Sequence, residues 1–143
     1  MKKRYLISLL LLICLVGCAS IGGHKLTCTS IGKGPAMTID QKYVFRYEED
    51  TITNVEVTRS YIFDKKEDFD SFKVVIDYLT EGMKNYKNKH IKYDIYKSKN
   101  KYTTRLNVDM PKATDDELGL LGLNDRQLSK FKATLEKQGL VCK

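Results

Sequence analysis

Few side chains in this 143-residue sequence are equipped for covalent chemistry. The clearest are four cysteines, at positions 14, 18, 28 and 142. The two histidines, His24 and His90, have no Ser or Cys beside them that would suggest a nucleophile and its base. No G-x-S-x-G, H-E-x-x-H or phosphate-cradling glycine loop occurs, and Gly32 and Gly34, which flank Lys33 and precede Pro35, read as a turn. Two acidic clusters, Glu48-Glu49-Asp50 and Asp115-Asp116-Glu117, lack the alternation around a central Gly that a calcium loop of about twelve residues requires. The first suits a solvated hairpin tip. The second suits a helix's first turn, where negative charge complements the dipole. The residues therefore point to no catalytic, cofactor or metal site, and the expectation is a protein that is not an enzyme.

Cys14 and Cys18 fall in "LICLVGCAS", at the end of a segment with three parts. Lys2, Lys3 and Arg4 form a basic start, Leu6 to Val16 is an apolar run, and Gly17 is a small residue before Cys18. That is the layout of a secretory signal peptide. The run is too short for a spanning helix, which needs about 20 apolar residues. Leu15-Val16-Gly17-Cys18 resembles a bacterial lipobox at all four positions. The resemblance implies cleavage between Gly17 and Cys18, lipid attachment at the Cys18 sulfur, and a protein held at the cell membrane on its extracytoplasmic face. Two or three acyl chains anchor durably where one anchors only marginally. Residues 1–17 are then a lipoprotein signal peptide, 18–24 a lipidated tether, and 25–143 a single domain.

Processing would discard Cys14 and lipidate Cys18, leaving Cys28 and Cys142. Outside the cytosol disulfides persist, and the two residues lie near the ends of the domain, which are often close in space. A Cys28–Cys142 disulfide is expected. Two free thiols or a metal pair are the alternatives, the latter weakened because only His24 and His90 could add ligands. No CxxC redox motif occurs.

The formal net charge is +7, but Lys2, Lys3 and Arg4 supply three of these charges in a stretch without acids, so the rest carries +4. The densest positive stretch, "KNYKNKHIKYDIYKSKNK", holds Lys84, Lys87, Lys89, Lys92, Lys97, Lys99 and Lys101 against Asp94, interleaved with tyrosines. Tyrosines among lysines can stack and neutralise single-stranded nucleic acid, but export argues against a nucleic-acid partner. An anionic membrane or envelope polymer fits better, with about 1 kcal/mol per surface Lys. A solvated hairpin is the plainer alternative.

Periodicity supplies the elements that must position these residues. Residues 25–30 read as a strand ending at the turn "IGKGP". Residues 37–47 set Ile39, Tyr43, Phe45 and Tyr47 on one face, and residues 52–63 set Val55, Val57, Tyr61 and Phe63 likewise, with "EEDT" between them, a hairpin. Over 65–86, Phe69, Phe72, Ile76, Leu79, Met83 and Tyr86 recur at helical spacing behind a capping box of Asp64 and Glu67. Residues 90–96 and 102–110 alternate again, and Pro111 ends the second. Thr114 with Glu117 opens a short helix through Leu121. Asn124 is expected to cap a last helix over 125–138, stopped by Gly139, after which Leu140-Val141-Cys142 folds back toward the first strand. The order β-β-β-α-β-β-α-α describes an α+β fold, an antiparallel sheet of about five strands with helices on one face.

As a whole the chain is similar to the YehR-like small lipoproteins of bacteria, on its lipobox, the hairpin "YVFRYEEDTITNVEVTRSYIFD", the helix after it and the closing "LEKQGLVCK". That family has no assigned biochemical function, so the resemblance implies a site residue only at Cys18. The functional expectation is a membrane-anchored, non-enzymatic binding or accessory module, contacting an envelope protein, polymer or small ligand through the sheet face free of helices. The alternatives are a disulfide-stiffened inhibitor or interaction protein for an envelope enzyme and, third, a hydrolase.

Overall fold

The computed structural model describes residues 23–84 and 88–143. The elements are β1 (His24–Lys33), β2 (Met37–Glu48), β3 (Thr51–Phe63), α1 (Lys66–Lys84), β4 (Ile91–Ser98), β5 (Lys101–Asp109), α2 (Asp115–Leu120), α3 (Leu128–Lys137) and β6 (Val141–Cys142). One antiparallel sheet runs β4-β5-β3-β2-β1-β6. The fold is α+β as expected, with six strands among the described residues instead of about five. The sixth strand is the returning C-terminus, which pairs Cys28 with Cys142 and Thr29 with Val141.

Alternation decides which face is buried. Tyr43 and Phe45 of β2, Val55, Val57 and Phe63 of β3, and Tyr102 and Val108 of β5 all turn to the face that the helices cover. Strict alternation would place Ile52 on the opposite face. The register shifts at Arg46/Tyr47, so that Arg46 faces Asn54 while Tyr47 faces Ile52, and Thr53 is the extra residue. A bulge of one residue flips what precedes it, and Ile52 is accordingly buried in the core. Strand β1 also runs further than its β-branched stretch, from His24 to Lys33, because its ladder with β2 continues through Gly32↔Ile39 and Lys33↔Thr38. His24, expected in the tether, opens this strand with its ring 5.5 Å from that of Tyr47.

The core lies in two clusters on the covered face. The larger packs Leu118, Leu128, Phe131 and Leu135 from α2 and α3 on Tyr43, Phe45, Val55 and Val57. Phe131 sits 5.3 Å from Phe45 between ring centres. The smaller sets Phe69, Phe72 and Ile76 of α1 on Phe63, Tyr102 and Tyr61. Fully burying each such side chain contributes about 1.5–3 kcal/mol. The expected stripe of α1 thus packs its own sheet through these residues, and the positions expected at its end, Asn85 and Tyr86, lie outside the described residues.

The helix ends show which local signals prevailed. The Thr114–Glu117 capping box forms: Glu117 N donates to Thr114 Oγ1 at 3.2 Å and Thr114 N donates to Glu117 Oε2 at 2.8 Å. The cap expected at Asn124 does not, and α3 begins at Leu128 instead of 125. Residues 125–127 stay extended because they extend the sheet's pairing: Ile52 N donates to Arg126 O at 2.8 Å and Gln127 bridges Thr51. The helix is capped from a distance. Asp50, on the β2–β3 turn, accepts from Ser129 N at 2.8 Å through Oδ1 and from Ser129 Oγ at 2.7 Å through Oδ2, while its carbonyl accepts from Leu128 N at 2.8 Å. At the other end Gly139, at φ 88, allows Leu140 N to reach Leu135 O at 3.0 Å and its own N–H to reach Glu136 O at 3.0 Å. That is a Schellman stop, and it turns the chain toward β1.

Candidate functional site

The disulfide expected between Cys28 and Cys142 is present, with Cα atoms 4.0 Å apart and Cys28 wholly buried. The neighbouring pair closes the ladder beside it with two backbone bonds, Thr27 N to Lys143 O at 2.9 Å and Lys143 N to Thr27 O at 2.8 Å. Gly17 and Cys18 lie outside the described residues. No described helix is long and apolar enough to cross a membrane. Among the described residues no cluster of three or more His, Cys, Asp or Glu could hold a metal ion.

The lysine stretch is dispersed by the fold. Lys87 lies outside the described residues, and Lys84 ends α1. Lys97 leans to the helix side, its Nζ 2.6 Å from Asp77 and 5.5 Å from the centre of the Tyr102 ring. Bonding to Asp77 raises its pKa. Lys92 and Lys101 belong to the opposite face, whereas Lys89 precedes β4 and Lys99 occupies the turn that follows it. With about 3.4 Å per strand residue, those two ends are roughly 30 Å apart.

The uncovered face, on which the contact surface was expected, is already knitted together by polar pairs. Asn54 Nδ2 donates to Asn107 Oδ1 at 3.2 Å, Ser60 and Thr103 share a hydroxyl contact at 3.0 Å, and Arg105 lies 3.7 Å from Glu56. The groove with the most distinctive chemistry is on the other face, in the gap between the two core clusters. Its volume is about 640 Å³, within the range of small-ligand pockets.

Four strands, α1 and the end of α2 with its turn build this groove. β2 and β3 supply Tyr43, Val57, Arg59 and Tyr61 to its floor, while β4 and β5 add Tyr93, Thr104 and Leu106. The C-terminal half of α1 forms one wall with Ile76, Tyr78 and Gly82, and the turn after α2 forms the other with Leu120 to Leu123. Gly122, at φ 69, holds that second wall: it gives α2 the same Schellman stop as α3, with Leu123 N donating to Leu118 O at 2.8 Å. At the rim Tyr78 is 80% exposed and Leu120 65% exposed, so two large apolar side chains border the opening.

Arg59 is the feature the sequence reading passed over. It occupies an inward position of β3, between Val57 and Tyr61, where alternation demands an apolar residue. That break in the pattern is the signal that could have found it. Its neighbours across the ladders are Gln41 on β2 and Thr104 on β5. Nη2 donates to the Tyr43 hydroxyl at 3.2 Å, while Nε is buried without a hydrogen-bond partner. The ion pairs among the described residues involve other side chains. Burial works against the Arg59 charge, yet the phenolic oxygens of Tyr43 and Tyr61 act the other way and leave its pKa above the ordinary value. Burial also pushes the Tyr93 hydroxyl up, with Tyr61 adding to the effect, and Arg59 and Thr104 hold it back.

Such an arrangement is rich in donors. A phenol that accepts from a guanidinium keeps its own O–H to give. Arg59 has five N–H donors, and a buried donor left unpaired costs free energy that an entering acceptor would recover. Among the described residues the lining brings no histidine or cysteine into the groove, and their one carboxylate, Glu81, lies on α1.

No family model matches the sequence, and no curated protein matches it. A protein from Streptococcus pneumoniae TIGR4, solved by NMR, shares the fold: the TM-score is 0.53 at 14% identity, covering 84% of each chain.

Proposed function

We propose that this chain is a lipid-anchored, extracytoplasmic binding module that holds a small ligand in the groove between α1 and the turn after α2. The anchor reading rests on the signal-peptide layout and on Leu15-Val16-Gly17-Cys18, which fit the lipobox pattern of the YehR-like lipoproteins. The binding reading is carried by one observation: a half-buried arginine with a partnerless Nε, set among tyrosines on the floor of a groove with mainly apolar walls. A structural arginine in a core is normally paired, since an unpaired buried donor or charge is costly. An arginine kept in place without a carboxylate is better suited to receiving one from outside.

Gly82 gives a direct test. It lines the groove, and a Cβ placed there meets nothing within 4 Å. Gly82→Trp should therefore fill the groove without a backbone clash. Native mass spectrometry of the chain released from envelopes should show a non-covalent adduct on the wild type and none on Gly82→Trp, at unchanged melting temperature. An adduct that persists in the filled variant, or a bare wild type, overturns the groove as the binding site.

A second reading, an interaction protein for an envelope partner, is favoured by α1 itself. Val74, Val75 and Tyr78 are exposed there, and a cluster of apolar side chains on a surface helix is common where another protein docks.

A further inference from the structure

Resting on that reading, we infer that the groove recognises a single carboxylate carried on an apolar body. The charge count selects the anion. Among the described residues lining the groove, Arg59 is the one cation and Glu81 the one anion. A monoanion would balance Arg59. A phosphate dianion would bring a second negative charge for which the described lining offers no cation, on a half-buried floor where the low dielectric magnifies the penalty.

The donor geometry agrees with the charge. A guanidinium presents parallel N–H groups that match the two oxygens of a carboxylate. Tyr43 and Tyr61 stand beside it, and each phenol carries an O–H that can donate. Adjacent strands lie about 4.8 Å apart, so the floor from Arg59 on β3 to Tyr93 on β4 spans roughly 10 Å. The rest of the ligand is mainly apolar, because the surfaces beyond Arg59 are Val57 and Leu106 below, Ile76 and Met83 on one side, and Leu121 and Leu123 on the other, with Thr104 and the Tyr93 hydroxyl as the polar points of the floor. A flexible alkanoate and an aryl-alkanoate share this chemistry.

The test uses the full chain in nanodiscs, titrated calorimetrically against empty discs with octanoate, 3-phenylpropionate, octanol, octyl phosphate and octyltrimethylammonium. One of the two carboxylates should saturate one site per chain, and which of them does identifies the body. Arg59→Met should weaken that carboxylate at least about tenfold, the size of one lost charge-assisted hydrogen bond, and leave octanol unchanged. Arg59→Lys should recover part of the loss, and Gly82→Trp should abolish binding of every probe. If Arg59→Met does not fold, Tyr43→Phe provides the same comparison with a smaller loss. Tighter binding of octyl phosphate, equal binding of octanol, or no saturable binding of either carboxylate overturns the carboxylate assignment. Carboxylate binding that survives Gly82→Trp overturns the groove itself.

Discussion

Reduction of the Cys28–Cys142 bond should lower the melting temperature substantially without dismantling the native fold. The bond spans 114 residues, nearly the whole of the domain from β1 to the C-terminal strand. The chain-entropy relation for a loop of that length gives about 4.8 kcal/mol at 25 °C, acting on the unfolded state. Unfolding entropy of roughly 2.1 cal/mol/K per residue, over about 120 residues, amounts to about 250 cal/mol/K, so the midpoint should fall by roughly 15–20 °C. The native ends do not need the bond to meet. Thr27 and Lys143 exchange two backbone hydrogen bonds beside it, and Leu140 is buried in the main cluster. Circular dichroism melts with and without a phosphine reductant measure the shift, while intact mass after alkylation confirms reduction. The reduced protein should keep its far-UV spectrum. A fall of less than about 5 °C would refute the reasoning, because it would mean the unfolded chain gains little freedom when the loop opens.

Asp50 links stability to acidity. Its pKa is depressed, first by the Ser129 hydroxyl and next by the Ser129 amide, with burial opposing and Lys130 assisting. A depressed folded-state value stabilises above the ordinary aspartate range and ceases to do so as pH falls through it. Urea midpoints from pH 6 to pH 2 should therefore fall less steeply for Asp50→Asn than for the wild type, and parallel slopes would count against the cap. Gly139→Ala should cost about 1 kcal/mol or more, because φ 88 strains any residue with a Cβ, and Gly139→Asn should cost less; equal midpoints for all three would argue against the left-handed stop. Arg126 donates to Met110 O, to Ala113 O at 2.8 Å and to Asp115 at 2.9 Å. Arg126→Met should then lower stability by about 2–3 kcal/mol and speed amide exchange in α2, and unchanged exchange would show that α2 is held by other contacts. Cys18→Ala should abolish metabolic lipid labelling and leave an uncleaved precursor; continued labelling would end the lipid-anchor proposal.

Much of the fold was legible because its signals are short-range. Alternation over β2 and β3, the 3–4 spacing from Phe69 to Met83, Thr114 with Glu117, and Gly139 each determine a local backbone state within a few residues. The pairing of Cys28 with Cys142 was also legible, from two thiols near the ends of one domain. Other features depended on neighbours far along the chain. Asn124 is a reasonable cap by type, but Ile52 and Thr51 hold 125–127 extended, and Asp50, distant in sequence, takes over the capping of Ser129. Thr53 gives no local sign of a bulge; the mismatch of two long strands creates it and sends Ile52 into the core.

The groove belongs to the same category. By itself the sequence determined an α+β sheet, its helices and its terminal staple, since patterning and turn chemistry act where the residues stand. Only the tertiary structure decided that α1 and α2 stop short of each other over β3. It also decided that the lysines of the β4–β5 hairpin separate instead of gathering. Arg59 gains its meaning from that gap: a single cation on a strand is unremarkable in sequence, and becomes a candidate anchor once the surrounding strands and helices set it among tyrosines and exclude water from its Nε.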